Sequence, residues 1–188
     1  LQVKAKNEDS TFDKVGNMIV ESAWANWCRL GNCTVDKKMT FVDAQHLFIE
    51  SLARDGEVII RMVNYDNADK FAIEFLEPDL LDEEKNDVLE NGKRIRMGVE
   101  LNEYRAPLAY WMLTEHPGDM EYSARYTRQH VRVPSEKILH IYMPDRAQQT
   151  RGVPWMASAI QSLKMLHGYR EAELVAARTG ASKMGFFI

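Results

Sequence analysis

Apolar side chains at Phe12, Val15, Ile19, Ala23, Trp27 and Leu30 recur every three or four residues, the spacing of one helical face over about 11–30, with Ser10 or Thr11 as the cap. Beyond Gly31-Asn32 a second stripe, Phe41, Ala44, Leu47, Phe48 and Leu52, predicts a helix to about Arg54. Thr40 and Asp43 fit a capping box in which aspartate replaces glutamate. At Asp55-Gly56 the period changes. Val58 to Val63 is apolar apart from Arg61, whereas Phe71, Ile73 and Phe75 alternate with Lys70, Ala72 and Glu74 in the period of a strand. The turn formers Asp66-Asn67-Ala68-Asp69 lie between these runs and predict a hairpin.

Asn91-Gly92 opens a strand over about 93–101, with 108–113 as its antiparallel partner. Residues 115–127 read as a long loop, and a final strand pair, near 129–133 and 137–143, is divided by Pro134. Pro144 and Gly152 punctuate the chain before Pro154, whose fixed φ suits the first turn of a helix to about Arg178. Met156, Ile160, Leu163 and Leu166 share one face of that helix. Its far end narrows to Ala172, Ala176, Ala177, Gly180 and Ala181, which permit close backbone approach. Helix, helix, five to seven strands and a long helix make an α+β fold with a mostly antiparallel sheet. We read 1–188 as one unit: a helical part to 56, a β-rich part over 57–145, and a turn and helix over 146–188.

Charge narrows the function. The net charge of -4 argues against a protein that grips nucleic acid by neutralising many phosphates. Residues 77–91 hold seven acids against Lys85, and Lys93, Arg94 and Arg96 follow at once, a pattern that reads as a solvated loop beside a strand. Those acids could attract Mg²⁺ or Ca²⁺, yet the spacing of a calcium loop is missing. Cys28 and Cys33, five apart, fit neither a redox pair nor a zinc quartet. No apolar run approaches 18 residues, so nothing predicts a membrane span. A start without methionine and an apolar end at Phe186-Phe187-Ile188 suggest a fragment of something longer.

The sequence offers no assembled catalytic set, and no catalytic, cofactor or metal residue is assigned. The histidines at 46, 116, 130, 140 and 167 form no metal-binding pair, and His140, within an apolar strand, reads as a partly buried histidine satisfied by a backbone or side-chain partner. Neither a nucleophile elbow nor a glycine-rich phosphate cradle occurs, so hydrolase, transferase and ATPase activities are not expected. Trp155, directly after Pro154, is expected to anchor the last helix to the sheet. Arg146 and Arg151 flank the turn before that helix and could serve loop carbonyls and local acids.

Ile138-Leu139-His140-Ile141-Tyr142, the turn Gln149-Thr150-Arg151-Gly152 and the helix through Tyr169-Arg170-Glu171-Ala172-Glu173-Leu174 together resemble the lambda-like portal proteins of tailed bacteriophages. Upstream landmarks follow the order of the same family: Trp24, Trp27 and Cys28, then Val35-Asp36, Lys37-Lys38, Thr40-Phe41 and Asp55-Gly56-Glu57. The landmarks cover about 24–188. The resemblance implies the wing of a portal subunit and the helix leading toward the stem, with clip and crown beyond Ile188. It further implies a virion protein assembled in the host bacterial cytoplasm: a homo-oligomeric ring, a dodecamer at full length, at one capsid vertex. Its partners would be the major capsid protein, the terminase large subunit, the tail, and double-stranded DNA passing through without sequence-specific binding. On that basis Arg146, Arg151, Gly152, Trp155, Ala172 and Ala176 are candidates for a structural turn or a subunit interface, and an inter-subunit salt bridge becomes the alternative role of the two arginines. Two competing readings are a cytosolic enzyme with an acidic cleft near His116 or His130, and a β-sheet interaction module.

Overall fold

The first helix obeys its periodicity but not its expected cap. In the computed structural model, which describes residues 2–6, 10–65, 71–90, 92–119 and 129–182, α1 spans Lys14–Trp27 and is capped by Asp13, whose Oδ1 accepts from Gly16 N–H at 2.8 Å. The apolar face is not buried: Phe12, Val15, Met18 and Ile19 are 56–65% exposed. The end of α1 packs its aromatic rings, with Trp24 and Trp27 against Phe41 at ring separations of 5.2 Å and Trp27 Nε1 donating to the Phe71 carbonyl at 2.7 Å.

Helix α2, Phe41–Asp55, starts at the predicted capping box. Asp43 N–H donates to Thr40 Oγ1 at 3.2 Å, and Thr40 N–H donates to Asp43 Oδ2 at 2.9 Å. Gly56 ends the helix with φ of 83°, where a residue with a Cβ would be strained.

The strands are β1 (Glu57–Asn64), β2 (Phe71–Leu76), β3 (Asp87–Val88), β4 (Arg94–Arg96), β5 (Val99–Leu101), β6 (Pro107–Leu113), β7 (His130–Pro134) and β8 (Ile138–Tyr142). They form a three-stranded sheet, β2-β1-β8, and a five-stranded sheet, β3-β4-β5-β6-β7, with every ladder antiparallel. The expected hairpin of β1 and β2 is present, although its turn at 66–69 lies outside the described residues. So do residues 120–127 of the expected long loop and the apolar end at 186–188.

Three expectations are corrected. The single strand over 93–101 is a tight hairpin, because Met97 and Gly98 turn the chain at φ 48° and 81°, both in the left-handed region that a two-residue hairpin turn uses. The final strand pair does not pair. Pro134 closes β7 beside β6, and a 3-10 turn at Ser135–Lys137 redirects the chain so that β8 joins β1 in the other sheet. The last helix, α3, runs Ile160–Ser182 rather than from Pro154, after a series of turns at 155–159.

The nearly unbroken apolar run of β1 follows from burial on both faces. Ile59 joins Leu81, Val99, Leu101, Tyr110, Met112, Val133 and Ile138 in a core shared by the two sheets. Val58 and Ile60 point the other way, into a cluster with Leu52 of α2 and the flanking Phe48, Ile73 and Phe75. Each such fully buried side chain contributes about 1.5–3 kcal/mol, so β1 ties α2 and both sheets together.

Candidate functional site: the strand-to-helix junction

Gly56 sets the position of the next residue, Glu57, at the head of a strand buried on both sides. Its side chain is 3% exposed. Three donors from distant parts of the chain meet its carboxylate: His140 Nε2 lies 2.9 Å from Oε2, Gly152 N–H donates to Oε2 at 2.8 Å, and Arg151 Nε donates to Oε1 at 2.7 Å. The rest of the Arg151 guanidinium donates to backbone carbonyls, from Nη1 to Leu81 at 2.9 Å and Met97 at 3.2 Å and from Nη2 to Pro78 at 3.1 Å. One arginine thus binds β1, the segment after β2 and the β4–β5 turn.

Burial drives the Glu57 carboxyl upward, yet the hydrogen bonds from His140 and Arg151, the Arg151 charge and the Gly152 N–H together outweigh it and hold the group down at about 2. Beside it, burial pushes the Tyr110 phenol up to about 12, with Tyr142 and the Glu57 charge adding to the effect.

Backbone packing completes the joint. A Cβ on Gly152 would fall 2.1 Å from the Gly56 carbonyl oxygen, and one on Gly56 would fall 2.1 Å from the carbonyl carbon of Val153, so two backbones touch where neither tolerates a side chain. Gln149 folds the connecting loop. Its Oε1 accepts from Asp145 and Arg146 N–H at 2.8 and 3.2 Å, its Nε2 donates to the Arg151 carbonyl at 2.8 Å, and its own carbonyl accepts from Tyr142 O–H at 2.9 Å.

This arrangement is a fastener. A carboxylate held near pKa 2 and already engaged by three donors is a poor proton carrier at neutral pH. The residues of the enzyme reading sit elsewhere, His130 Nε2 at 2.8 Å from Asp82 Oδ2 and His116 Nε2 at 2.7 Å from Glu77 Oε2. Among the described residues no group of three or more His, Cys, Asp or Glu side chains could hold a metal ion.

The remaining candidates disperse. Arg146 is exposed and makes no side-chain ion pair with a described residue. Trp155 is not the expected anchor. It is 54% exposed, and its backbone N–H, donating to the Ala53 carbonyl at 3.2 Å, is what ties it down. The reason is that the Gly56–Gly152 contact already docks this segment by its backbone, before any helix begins. Ala172 and Ala176 lie on α3, none of whose 23 residues is buried.

Reading by sequence missed Glu57 as the centre. The available signal was chemical context: an acid at the head of an apolar run, a histidine inside an apolar strand and an arginine beside a glycine in a turn, three polar groups with mutual need.

The whole chain, residues 1–188, matches the family model described as phage portal protein, lambda family. It is 37% identical over 188 residues to a protein of Halomonas phage phiHAP-1 named "Probable portal protein", covering all of this chain and 36% of that relative. It is 24% identical over 164 residues to the portal protein of Escherichia phage N15, covering 84% of this chain and 31% of that relative. The chain spans about a third of the length of these curated relatives. A match along its entire length to one family model, together with the first of these likenesses, establishes that the chain belongs to the lambda family of phage portal proteins.

Proposed function

We propose that this chain is the part of a portal subunit that builds the wing and launches the stem helix of a homo-oligomeric ring, the head-tail connector of a virion. It acts as a structural subunit, and its ring is the conduit for DNA at one capsid vertex and the platform on which terminase, capsid protein and tail dock. Residues 1–188 act in that ring as one unit, with Arg151 and Gly152 as its structural turn and Ala172 and Ala176 as subunit-facing positions.

The observation that carries this reading is the contrast at the junction: α3 leaves a firmly fastened body, and then buries nothing over 23 residues. A helix without tertiary partners is only marginally stable in water, since packing of an apolar face supplies most helical stability in proteins. Neighbouring subunits supply that packing in a ring, through heterologous contacts that close on themselves. Leu163, Leu166, Leu174 and Val175 are about half exposed, and small residues between them admit a close neighbour.

Native mass spectrometry and negative-stain imaging of the full-length protein test it. The expected result is a closed ring, a dodecamer, whose subunits dissociate when Ala172 and Ala176 are both replaced by aspartate. A monomer that the two substitutions leave unchanged would overturn the proposal.

A further inference from the structure

We propose that the arginine-lined cleft between the β4–β5 hairpin and the loop before α3 is a docking site for a short, extended, carboxylate-rich segment of a partner protein. The cleft encloses about 920 Å³ and is lined by Arg94, Arg96, Arg105, Arg146 and Arg151, with Asp145 as the one carboxylate among its lining residues. Arg151 is committed to Glu57. The other four arginines make no side-chain ion pair with a described residue.

Arg54, Arg61 and Arg132 each rest on a carboxylate, whereas Arg29, Arg170 and Arg178 have no such partner among the described residues, so what sets these four apart is that one cleft gathers them. Four like charges gathered in a concave site repel one another until an anion enters, and guanidinium groups present paired N–H donors that match a carboxylate or a phosphate. A second observation is independent of charge. Arg105 sits at φ of 66°, a left-handed position that glycine or asparagine would occupy with less strain, in a turn whose Asn102 Oδ1 accepts from Tyr104 and Ala106 N–H at 2.9 and 2.8 Å. The turn therefore holds an arginine at the cleft mouth where local backbone preference opposes it.

Extent and net charge select between the two anion classes. A nucleic-acid duplex extends past any single cleft, and its phosphates would run over the surface of a chain of net charge -4. A short acidic peptide fits within the basic interior. The site stands whether or not the subunits form a ring.

The test is fluorescence anisotropy with a labelled peptide of alternating glutamate and serine, titrated with the full-length protein at about 50 mM salt, where exposed charges are weakly screened. A duplex DNA of equal charge is the comparison. The expected result is saturable peptide binding that Arg96→Ala with Arg146→Ala weakens about tenfold, two exposed charge contacts at about 0.7 kcal/mol each. Arg96→Lys with Arg146→Lys should restore part of the loss. Neither side chain has an ion-pair partner among the described residues, so the melting temperature should not fall. Tighter binding of the duplex through the same arginines would overturn the choice of partner, and peptide binding indifferent to the double substitution would overturn the site.

Discussion

The junction at Glu57 and the helix α3 lie next to each other along the chain and are built on opposite terms. At the junction a carboxylate 3% exposed gathers donors 83 to 95 residues away. Along α3 no residue is buried, and the hydrogen bonds are those a helix makes with itself. The difference teaches where this subunit is finished and where it is not. The joint at Glu57 closes its polar demands internally, whereas α3, like the exposed face of α1, leaves its apolar residues uncovered.

Removal of the carboxylate has the largest expected effect. Glu57→Ala should destabilise the body by about 3–5 kcal/mol, because it leaves Arg151 and His140 buried without their acceptor. Urea unfolding followed by tryptophan fluorescence measures it, and a loss below about 1 kcal/mol would mean that the cluster contributes little net stability.

The same group sets an acid limit. Its folded pKa of about 2 lies below its ordinary 4.5, so its contribution is complete above pH 4.5 and is lost as the pH falls toward 2. The span corresponds to about 3 kcal/mol. Stability measured between those pH values should fall more steeply in the native protein than in Glu57→Gln, and parallel curves would refute the assignment.

Gly152→Ala strikes at the backbone contact of the joint. Its Cβ would meet the Gly56 carbonyl oxygen, a backbone atom that cannot swing aside, and the overpacking should cost about 1–3 kcal/mol. Amide exchange at Trp155 should accelerate in this variant, since the bond from its N–H to Ala53 depends on the same contact. Unchanged exchange there would place the docking force elsewhere.

The smallest effects belong beyond the junction. Trp155→Ala, at a side chain more than half exposed, should cost less than about 1 kcal/mol in the monomer. Within the isolated chain, amides after about residue 176 should exchange fast, and assembly of the full-length protein should protect them. Strong protection in both states would show that α3 is finished without neighbours.

Where a feature depends on residues close in sequence, it was legible. The capping box of Thr40 and Asp43, the end of α2 at Gly56 and the alternation of β2 all rest on distances of a few residues. The satisfied state of His140 was legible from its apolar setting, although its partner was not. Trp155 misled because its place after a proline suggested a helix start, and the preceding backbone contact made an aromatic anchor unnecessary. Met97 misled because a methionine in a strand-like stretch gives no sign of the left-handed φ it adopts.

From sequence alone came the α+β class, the order of elements and the resemblance to portal proteins, since helical and strand periods are fixed by local geometry and motif order is carried by the chain itself. Tertiary structure alone decided that β7 and β8 enter different sheets, that Glu57 joins Arg151 and Gly152, and that α3 stands uncovered. Those outcomes depend on which distant groups lower each other's desolvation cost when they meet, and no local period encodes that choice.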